Sequence, residues 1–146
     1  MALFSKRTKA VKIRDLDELK TMVASGKPVL IDFMQVNCGP CRTMDGIINE
    51  LASEYGDSAH VVKVDVTRVA GAAQAFQVRS TPTFVLLSNA KKKPSRKSAK
   101  KGTANRPNSK KQRTNGQVAP RWRTTGLVKK DQLRRVLEGN GANRMA

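Results

Sequence analysis

The stretch VLIDFMQVNCGPCRTM, residues 29 to 44, joins a nearly continuous apolar run to two cysteines separated by Gly and Pro. The apolar run, residues 28 to 34, predicts a strand buried on both faces of a sheet. Beyond the cysteines, apolar residues recur at helical spacing, which predicts an amphipathic helix. These residues are Met44, Ile47, Ile48, Leu51 and Tyr55. The sequence therefore places a CxxC motif at the start of a helix that directly follows a buried strand.

This position of the CxxC motif favours redox chemistry. The positive end of a helix dipole and its unpaired amides stabilise a thiolate, so we expect a lowered pKa at Cys38. Cys41 lies one helical turn further on the same face, where it can resolve a mixed disulfide formed at Cys38. A CxxC that is redox-idle and only serves a scaffold is the alternative interpretation. A metal site is disfavoured, because zinc needs about four ligands and the only histidine is His60.

The rest of the chain predicts an α/β arrangement. Asp15 is expected to cap a helix, with Glu18 three residues later completing a capping box. The alternation of strands and helices that follows implies parallel pairing with crossover helices. Pro120 lacks an amide donor, so the last strand belongs at a sheet edge. Further strands are predicted at residues 60 to 66, at residues 83 to 87 and around Val118 and Trp122, and a closing helix at residues 127 to 141.

The charge of the chain is strongly positive and unevenly spread. Formal net charge is +18, from 29 Lys and Arg against 11 Asp and Glu, which favours polyanionic partners. Eleven of the basic residues lie between positions 91 and 113, so the remainder of the chain carries +7 of the total. The segment at residues 90 to 114 has no aromatic residue and is predicted to be disordered when free. It is interpreted as an insertion in the hairpin between the last two strands, where long loops are tolerated.

The basic residues of this insertion are the candidate polyanion-binding site. They are Lys91, Lys92, Lys93, Arg96, Lys97, Lys100, Lys101, Arg106, Lys110, Lys111 and Arg113. Contact with RNA or a ribonucleoprotein is the favoured hypothesis; without aromatic residues such binding is largely sequence-independent and weakens as salt rises. The alternatives are a nuclear-import signal, attraction to an anionic membrane surface, and a solvated charge run without a specific role.

Length and cysteine content restrict the class of protein. The 146 residues predict a single domain, residues 1 to 146, that carries the insertion. With only two cysteines there is no separate disulfide framework, so we expect a reducing intracellular compartment: the cytoplasm or mitochondrial matrix, or the nucleus if the basic run directs import. No apolar run approaches the ~18 residues of a membrane span, so the chain is not expected to be transmembrane. The first fifteen residues fit either a short organellar address or a solvated arm.

Three stretches together, VLIDFMQVNCGPCRTM, VVKVDV and STPTFVLL, resemble the thioredoxin family, and the resemblance covers nearly all of the chain outside the insertion. It implies a thioredoxin fold, with a central mixed sheet flanked by helices and a disordered basic insertion in the last hairpin. It also implies a thiol-disulfide oxidoreductase that reduces protein disulfides through Cys38 and Cys41. Electrons would come from an upstream disulfide reductase, and no organic or metal cofactor is implied.

The resemblance assigns roles to residues around the cysteines. Asp32 matches the family's buried acid, which exchanges protons with the resolving cysteine; burial raises the pKa of such an acid toward working pH. A purely structural carboxylate is the alternative for Asp32. Lys63 matches a buried lysine that moderates this pKa. The catalytic residues are thus predicted to be Cys38, Cys41 and Asp32.

The resemblance also predicts a groove for substrate. Pro82 matches the cis-proline that faces the cysteines, and Thr81 before it offers its backbone to an extended substrate strand. Gly126 matches a glycine that lines the same groove. Asn37 belongs to this surface but replaces the tryptophan that usually precedes the first cysteine, which removes a large apolar contact for substrate proteins.

Two further departures from the family pattern support a competing hypothesis. Gly46 stands where the active-site helix normally has a proline, so the expected kink is predicted to be lost. The basic insertion is absent from the common form of the family. With Asn37, these departures favour a redox-idle structural or binding protein of thioredoxin fold, which docks onto RNA or a ribonucleoprotein through its basic loop.

Overall fold

The computed structural model describes residues 9 to 89 and 119 to 144. The predicted disorder of residues 90 to 114 and all eleven candidate polyanion-binding residues lie outside the described residues. The elements follow in the order β1 (Val11–Lys12), α1 (Leu16–Ala24), β2 (Val29–Met34), α2 (Gly39–Glu54), β3 (His60–Asp65), α3 (Ala72–Ala75), β4 (Thr83–Ser88), β5 (Ala119–Thr125) and α4 (Lys130–Gly139). None of the helices in these two ranges is long and apolar enough to cross a bilayer.

The strands form one mixed five-stranded sheet in the order β1-β3-β2-β4-β5. The predicted parallel pairing is confirmed for β1 with β3 and for β2 with β3. It is wrong for β4, which runs antiparallel to β2. The connection from β3 to β4, residues 66 to 82, is long enough for a crossover, but the antiparallel register of β4 with β2 shows that it does not cross the sheet. The chain therefore turns back at the end of the sheet where β3 stops, and the mixed sheet implied by the family resemblance is confirmed.

Helices cover both faces of the sheet, and the alternation of side chains along β2 divides the core between them. Leu30 packs on one face with residues of α2 and α4, namely Met44, Ile48, Leu51, Leu133 and Leu137. Ile31 and Phe33 pack on the other face with Leu19 of α1 and Ala72 of α3. Asp32 has the same parity as Leu30, so its side chain lies on the α2 face.

Local signals define the helix start and the sheet edge as predicted. The Asp15 carboxylate accepts a hydrogen bond from the Glu18 amide at 3.1 Å, and Glu18 in turn accepts one from the Arg14 amide at 3.1 Å. The first bond satisfies an amide of the first turn of α1, as predicted. The second engages the amide that precedes the N-cap instead of that of Asp15, so the predicted capping box is shifted by one residue. Strand β5, which contains Pro120, lies at the edge of the sheet and pairs antiparallel with β4. The insertion therefore lies between the last two strands.

Candidate active site

The ends of three strands meet at one end of the sheet. Strand β2 finishes at Met34 and leads to Cys38, and β4 begins at Thr83, directly after Pro82. Thr83 lies opposite Phe33 of β2 and also opposite the last residue of β5. The topology therefore brings the cysteines, Pro82 and the start of the segment after β5 to the same place.

The cysteine pair occupies the N-terminus of α2. Cys38 is the N-cap, and its Sγ accepts a hydrogen bond from the Cys41 amide at 3.2 Å. Cys38 and Cys41 form a disulfide with a Cα–Cα distance of 5.2 Å. Both are buried, at 6% and 2% exposed, whereas Gly39 and Pro40 between them are exposed. A Cβ at Gly39 would meet no atom within 4 Å, so the motif faces open space.

Asp32 lies at the centre of β2 and is 0% exposed. Neither of its carboxyl oxygens has a hydrogen-bond partner within the part of the chain that the structure describes. Burial raises the pKa of Asp32 to about 7, the positive charge of Lys63 opposes this rise, and the negative charge of Asp45 adds to it. A carboxyl with such a pKa can take up and release a proton near neutral pH.

A second buried acid shows what a structural carboxylate looks like in this fold. Asp65 at the end of β3 is 1% exposed, but its Oδ1 accepts hydrogen bonds from the amide and the hydroxyl of Thr67, at 2.9 and 2.6 Å. Its other oxygen lies 3.7 Å from Nε of Arg68. Asp32 has none of these partners, which weighs against a purely structural role for it.

Lys63 approaches Asp32 from the neighbouring strand, since the two residues are register partners in the β2–β3 pair. The Lys63 Nζ lies 2.9 Å from Oδ1 of Asp45, although no hydrogen bond accompanies this ion pair. Asp45 is half-exposed and was not identified from the sequence. The available signal was its spacing, because it follows Cys41 by four residues and so lies one turn along the same side of α2.

The groove residues also lie at this end of the sheet. The Thr81-Pro82 peptide bond is cis, as predicted, and Pro82 is buried. No backbone hydrogen bond engages Thr81 within residues 9 to 89 and 119 to 144. Gly126 has a φ of +88°, and its amide donates a hydrogen bond to the carbonyl oxygen of Pro82. Asn37 is exposed beside Cys38.

Two exposed apolar side chains border this groove and were missed by sequence reasoning. Val36 is 48% exposed and follows β2, and Leu127 is 64% exposed and follows β5. Val36 directly precedes Asn37 in the sequence, and Leu127 directly follows Gly126. A single exposed valine or leucine in a loop gives no sequence signal, because its importance depends on which strand ends lie side by side.

Two remaining residues are Gly46 and His60. Helix α2 is continuous from Gly39 to Glu54, with Gly46 exposed in its interior, and the predicted loss of a kink there stays a prediction. His60 begins β3 at the opposite end of the sheet and lies 3.0 Å from the Ser25 hydroxyl. No group of three or more His, Cys, Asp or Glu that could hold a metal ion occurs among the residues described.

Comparisons with known proteins identify the family. The thioredoxin family model matches residues 10 to 108. Thioredoxin of Mycobacterium tuberculosis is 35% identical over 83 residues, which are 57% of this chain and 72% of that protein. Chloroplastic thioredoxin Y of Oryza sativa is 40% identical over 75 residues, 51% of this chain, but the chain spans only 44% of the length of that relative.

The structural comparison agrees on the fold. A mutant thioredoxin from Halobacterium salinarum NRC-1 superposes with a TM-score of 0.65 at 23% identity, covering 94% of this chain and 95% of that chain. The thioredoxin relatives and the Cys38–Cys41 disulfide together support the predicted thiol-disulfide oxidoreductase function. The chain belongs to the thioredoxin family.

Proposed function

We propose that the chain is a thioredoxin-like reductase of protein disulfides that works through the Cys38/Cys41 dithiol. The observation that carries this proposal is the buried Asp32, which has no hydrogen-bond partner among the described residues, on the strand that leads into a cysteine pair at a helix N-terminus. A scaffold that kept only the shape of the fold would have no need for an isolated acid in its core, because burying it without a partner costs stability.

In the first step the Cys38 thiolate attacks one sulfur of a substrate disulfide. A bond forms between Cys38 and the substrate, the substrate's own S–S bond breaks, and its second sulfur leaves as a thiolate. The N-cap position favours this step, because the amides of the first turn, including that of Cys41 at 3.2 Å, stabilise negative charge on the Cys38 sulfur.

In the second step Asp32 takes the proton of the Cys41 thiol, and the Cys41 sulfur attacks the Cys38 sulfur of the mixed disulfide. The Cys38–Cys41 bond forms, the bond to the substrate breaks, and the second substrate thiolate leaves. The chain has then lost two electrons and the substrate has gained them. The closed Cys38–Cys41 disulfide corresponds to this oxidised product.

The substrate lies as an extended segment along Thr81 and Pro82. The unpaired backbone groups of Thr81 can bond to it as a neighbouring strand would, and Gly126 leaves room beside it, since a Cβ there would meet no atom within 4 Å. Val36 and Leu127 supply the apolar contacts that Asn37 does not. Partners with an apolar residue next to the disulfide are therefore favoured.

Return to the dithiol form requires two electrons and two protons. We assign their supply to an upstream disulfide reductase that attacks the Cys38–Cys41 bond with a thiolate of its own. Lys63 moderates the proton affinity of Asp32 throughout the cycle, and no organic or metal cofactor on the chain is part of this proposal.

The test is a redox titration of the cysteine pair in glutathione buffers, combined with an insulin disulfide reduction assay. Wild type is expected to cycle reversibly and to turn over insulin. Cys38→Ser should abolish turnover, whereas Cys41→Ser should accumulate the mixed disulfide, visible as a covalent adduct on a non-reducing gel. A disulfide that cannot be cycled, or turnover that survives Cys38→Ser, would refute the reductase and leave the redox-idle binding protein as the alternative.

We propose in addition that the basic insertion binds a polyanion, with RNA or a ribonucleoprotein as the favoured partner. Support comes from the concentration of eleven basic residues, without an acid, between positions 91 and 113. The test measures RNA binding against salt concentration for wild type and for a variant whose residues 91 to 113 are replaced by a Gly/Ser linker of equal length. Salt-dependent binding in wild type alone supports the proposal, and equal binding by both proteins refutes it.

Two further expectations are carried forward as proposals. The chain acts as a single domain over residues 1 to 146, and it works in a reducing intracellular compartment, in the cytoplasm, the mitochondrial matrix or the nucleus. Location of a tagged full chain by microscopy, with and without the basic run, tests the compartment. A cooperative unfolding transition shared by Trp122 fluorescence and far-UV circular dichroism tests the single domain.

A further inference from the structure

The charged groups around Asp32 come from two elements. Strand β4 presents Phe84 as its register partner, which carries no charge. Strand β3 presents Lys63 and helix α2 presents Asp45, and the charges of these two residues act on Asp32 in opposite directions. Proton exchange at Asp32 is therefore governed by one cation and one further anion, in addition to the cysteine that it serves.

Lys63 is next to two carboxylates: Asp45, with which it forms an ion pair, and Asp32, which is its register partner on β2. Its register with Asp32 sets the two backbones about 4.8 Å apart, with both side chains on the face of the sheet that α2 covers. The Lys63 ammonium nevertheless pairs with Asp45, at 2.9 Å, and both Asp32 oxygens are left without a hydrogen bond from the described residues. The lysine thus bridges from the sheet to the helix that carries Cys41.

We propose that Asp45 is a positioning residue, which holds the Lys63 ammonium on the helix side of the site and so leaves the Asp32 carboxyl free to take the proton of the Cys41 thiol. The inference rests on the proposed reductase function and deepens it. It assigns to Asp45 a role through Lys63 and not a contact with the reacting sulfur atoms.

Electrostatics gives the direction of the effect. A direct ion pair between Lys63 and Asp32 would stabilise the carboxylate and make it a weak base. Pairing with Asp45 neutralises much of the lysine charge and adds a negative charge near Asp32, and both effects favour the protonated form. Loss of the Asp45 charge should therefore release Lys63 toward Asp32 and make Asp32 ionise at lower pH.

The decisive measurement is a carbon-13 NMR titration of the Asp32 side-chain carboxyl in the oxidised full chain. In Asp45→Asn the midpoint is expected to fall by about one pH unit or more. In the double variant Asp45→Asn/Lys63→Met the midpoint should rise again, because the released lysine is absent. Asp45→Glu should rescue the wild-type midpoint by restoring the charge.

Glu50→Gln is the matched control, because Glu50 lies on the same helix but forms its ion pair with Lys130 of α4. It should leave the midpoint unchanged. The inference is overturned if Asp45→Asn titrates as wild type does, or if the double variant titrates as Asp45→Asn does. Since Asp45 is half-exposed, these variants are expected to fold, and circular dichroism verifies this.

The titration needs no turnover, so it separates this inference from the function on which it rests. If insulin is reduced but the midpoint does not move in Asp45→Asn, the positioning role fails and the reductase stands. If the midpoint moves but the wild-type chain does not reduce insulin, the reductase fails, and with it the catalytic purpose of the Lys63 placement. If the positioning role and the reductase function both hold, the acidic limb of the turnover–pH profile should shift to lower pH in Asp45→Asn. The same limb should not shift in Glu50→Gln.

Discussion

The amide of Gly126 donates a hydrogen bond of 2.8 Å to the carbonyl oxygen of Pro82. This bond ties the end of β5 to the residue that precedes β4, and it requires a backbone conformation that an L-residue seldom adopts, with φ of +88° at Gly126. The two walls of the proposed groove are thus held together by a glycine whose role is conformational.

Gly126→Ala is therefore expected to destabilise the fold by about 1 to 2 kcal/mol. Space is not the reason, because a Cβ at Gly126 would meet no atom within 4 Å. Turnover of insulin should also fall, chiefly through a higher KM, as the groove loosens. Chemical unfolding together with steady-state kinetics measures both effects, and unchanged stability would contradict the conformational argument.

Gly46→Ala should have the opposite effect on stability. Gly46 lies in the interior of α2, is exposed, and has open space around its Cα. Alanine there should stabilise the protein by roughly 0.5 to 1 kcal/mol, because glycine loses more backbone entropy on entering a helix. The same denaturation experiment tests it, and a destabilised variant would indicate that the helix needs its glycine.

Asp32→Asn should stabilise the protein in alkaline solution. The folded-state pKa of Asp32 is raised from 3.8 to about 7 by burial, so the folded protein holds this proton more tightly than the unfolded chain does. Stability from this group is complete below about pH 4 and is lost as pH rises through about 7. Above neutral pH, the free energy of unfolding of Asp32→Asn should exceed that of wild type by on the order of a few kcal/mol.

Unfolding of both proteins at about pH 5 and about pH 8.5 checks this expectation. The difference in free energy of unfolding between variant and wild type should grow with pH. Because both proteins contain His60, the titration of that residue cancels in the comparison. Asp17→Asn serves as control, since Asp17 is an exposed carboxylate on α1 that pairs with Lys20. A difference that stays constant with pH would rule out ionisation of Asp32 as its cause.

Glu54→Gln should weaken the contact between α2 and α4. Glu54 accepts hydrogen bonds from Arg134 at 2.8 and 3.1 Å and from Lys130 at 2.8 Å. The Arg134 hydrogen bonds are the largest cause that lowers the pKa of Glu54, to about 2. The folded-state pKa is depressed, so the stabilisation is present above about pH 4.5 and is lost as pH falls toward 2.

Glu54→Gln is expected to lower the free energy of unfolding by about 1 kcal/mol at neutral pH. The effect is no larger because the ion pairs are partly exposed to solvent and therefore screened. Glu50→Gln is the comparison variant, since Glu50 is 60% exposed and, among the residues that the structure describes, forms an ion pair only with Lys130. Glu50→Gln should lower the free energy of unfolding by less than Glu54→Gln does. Thermal unfolding at neutral and acidic pH gives both values, and an equal loss for the two variants would contradict the structural ranking.

Much of the fold could be predicted because its signals are local. The apolar run of β2, the helical spacing after Cys41 and the Asp15 cap each lie within a few residues, and each formed as predicted. The direction of β4 could not be read from alternation alone, because residues 66 to 82 are long enough either to cross the sheet or to turn back where β3 ends. The family motifs, and not the pattern of elements, indicated the mixed sheet.

The residues of the candidate site could also be predicted where they lie close together in the sequence, and not where they meet between elements. Asp32, Cys38 and Cys41 share one continuous stretch, so their proximity follows from the chain itself. The choice of Lys63 between two carboxylates does not, because it depends on how a helix side chain meets a neighbouring strand. Asp45 was missed for that reason, as was Leu127, whose surroundings depend on the pairing of β4 with β5.

The antiparallel pairing of Ser88 with Ala119 has a consequence for the geometry of the whole molecule. The basic insertion departs from the sheet and rejoins it at the end opposite to Cys38, a strand length of roughly 20 Å away. The proposed attachment to a polyanion and the proposed electron transfer would thus join the domain at opposite ends of its sheet.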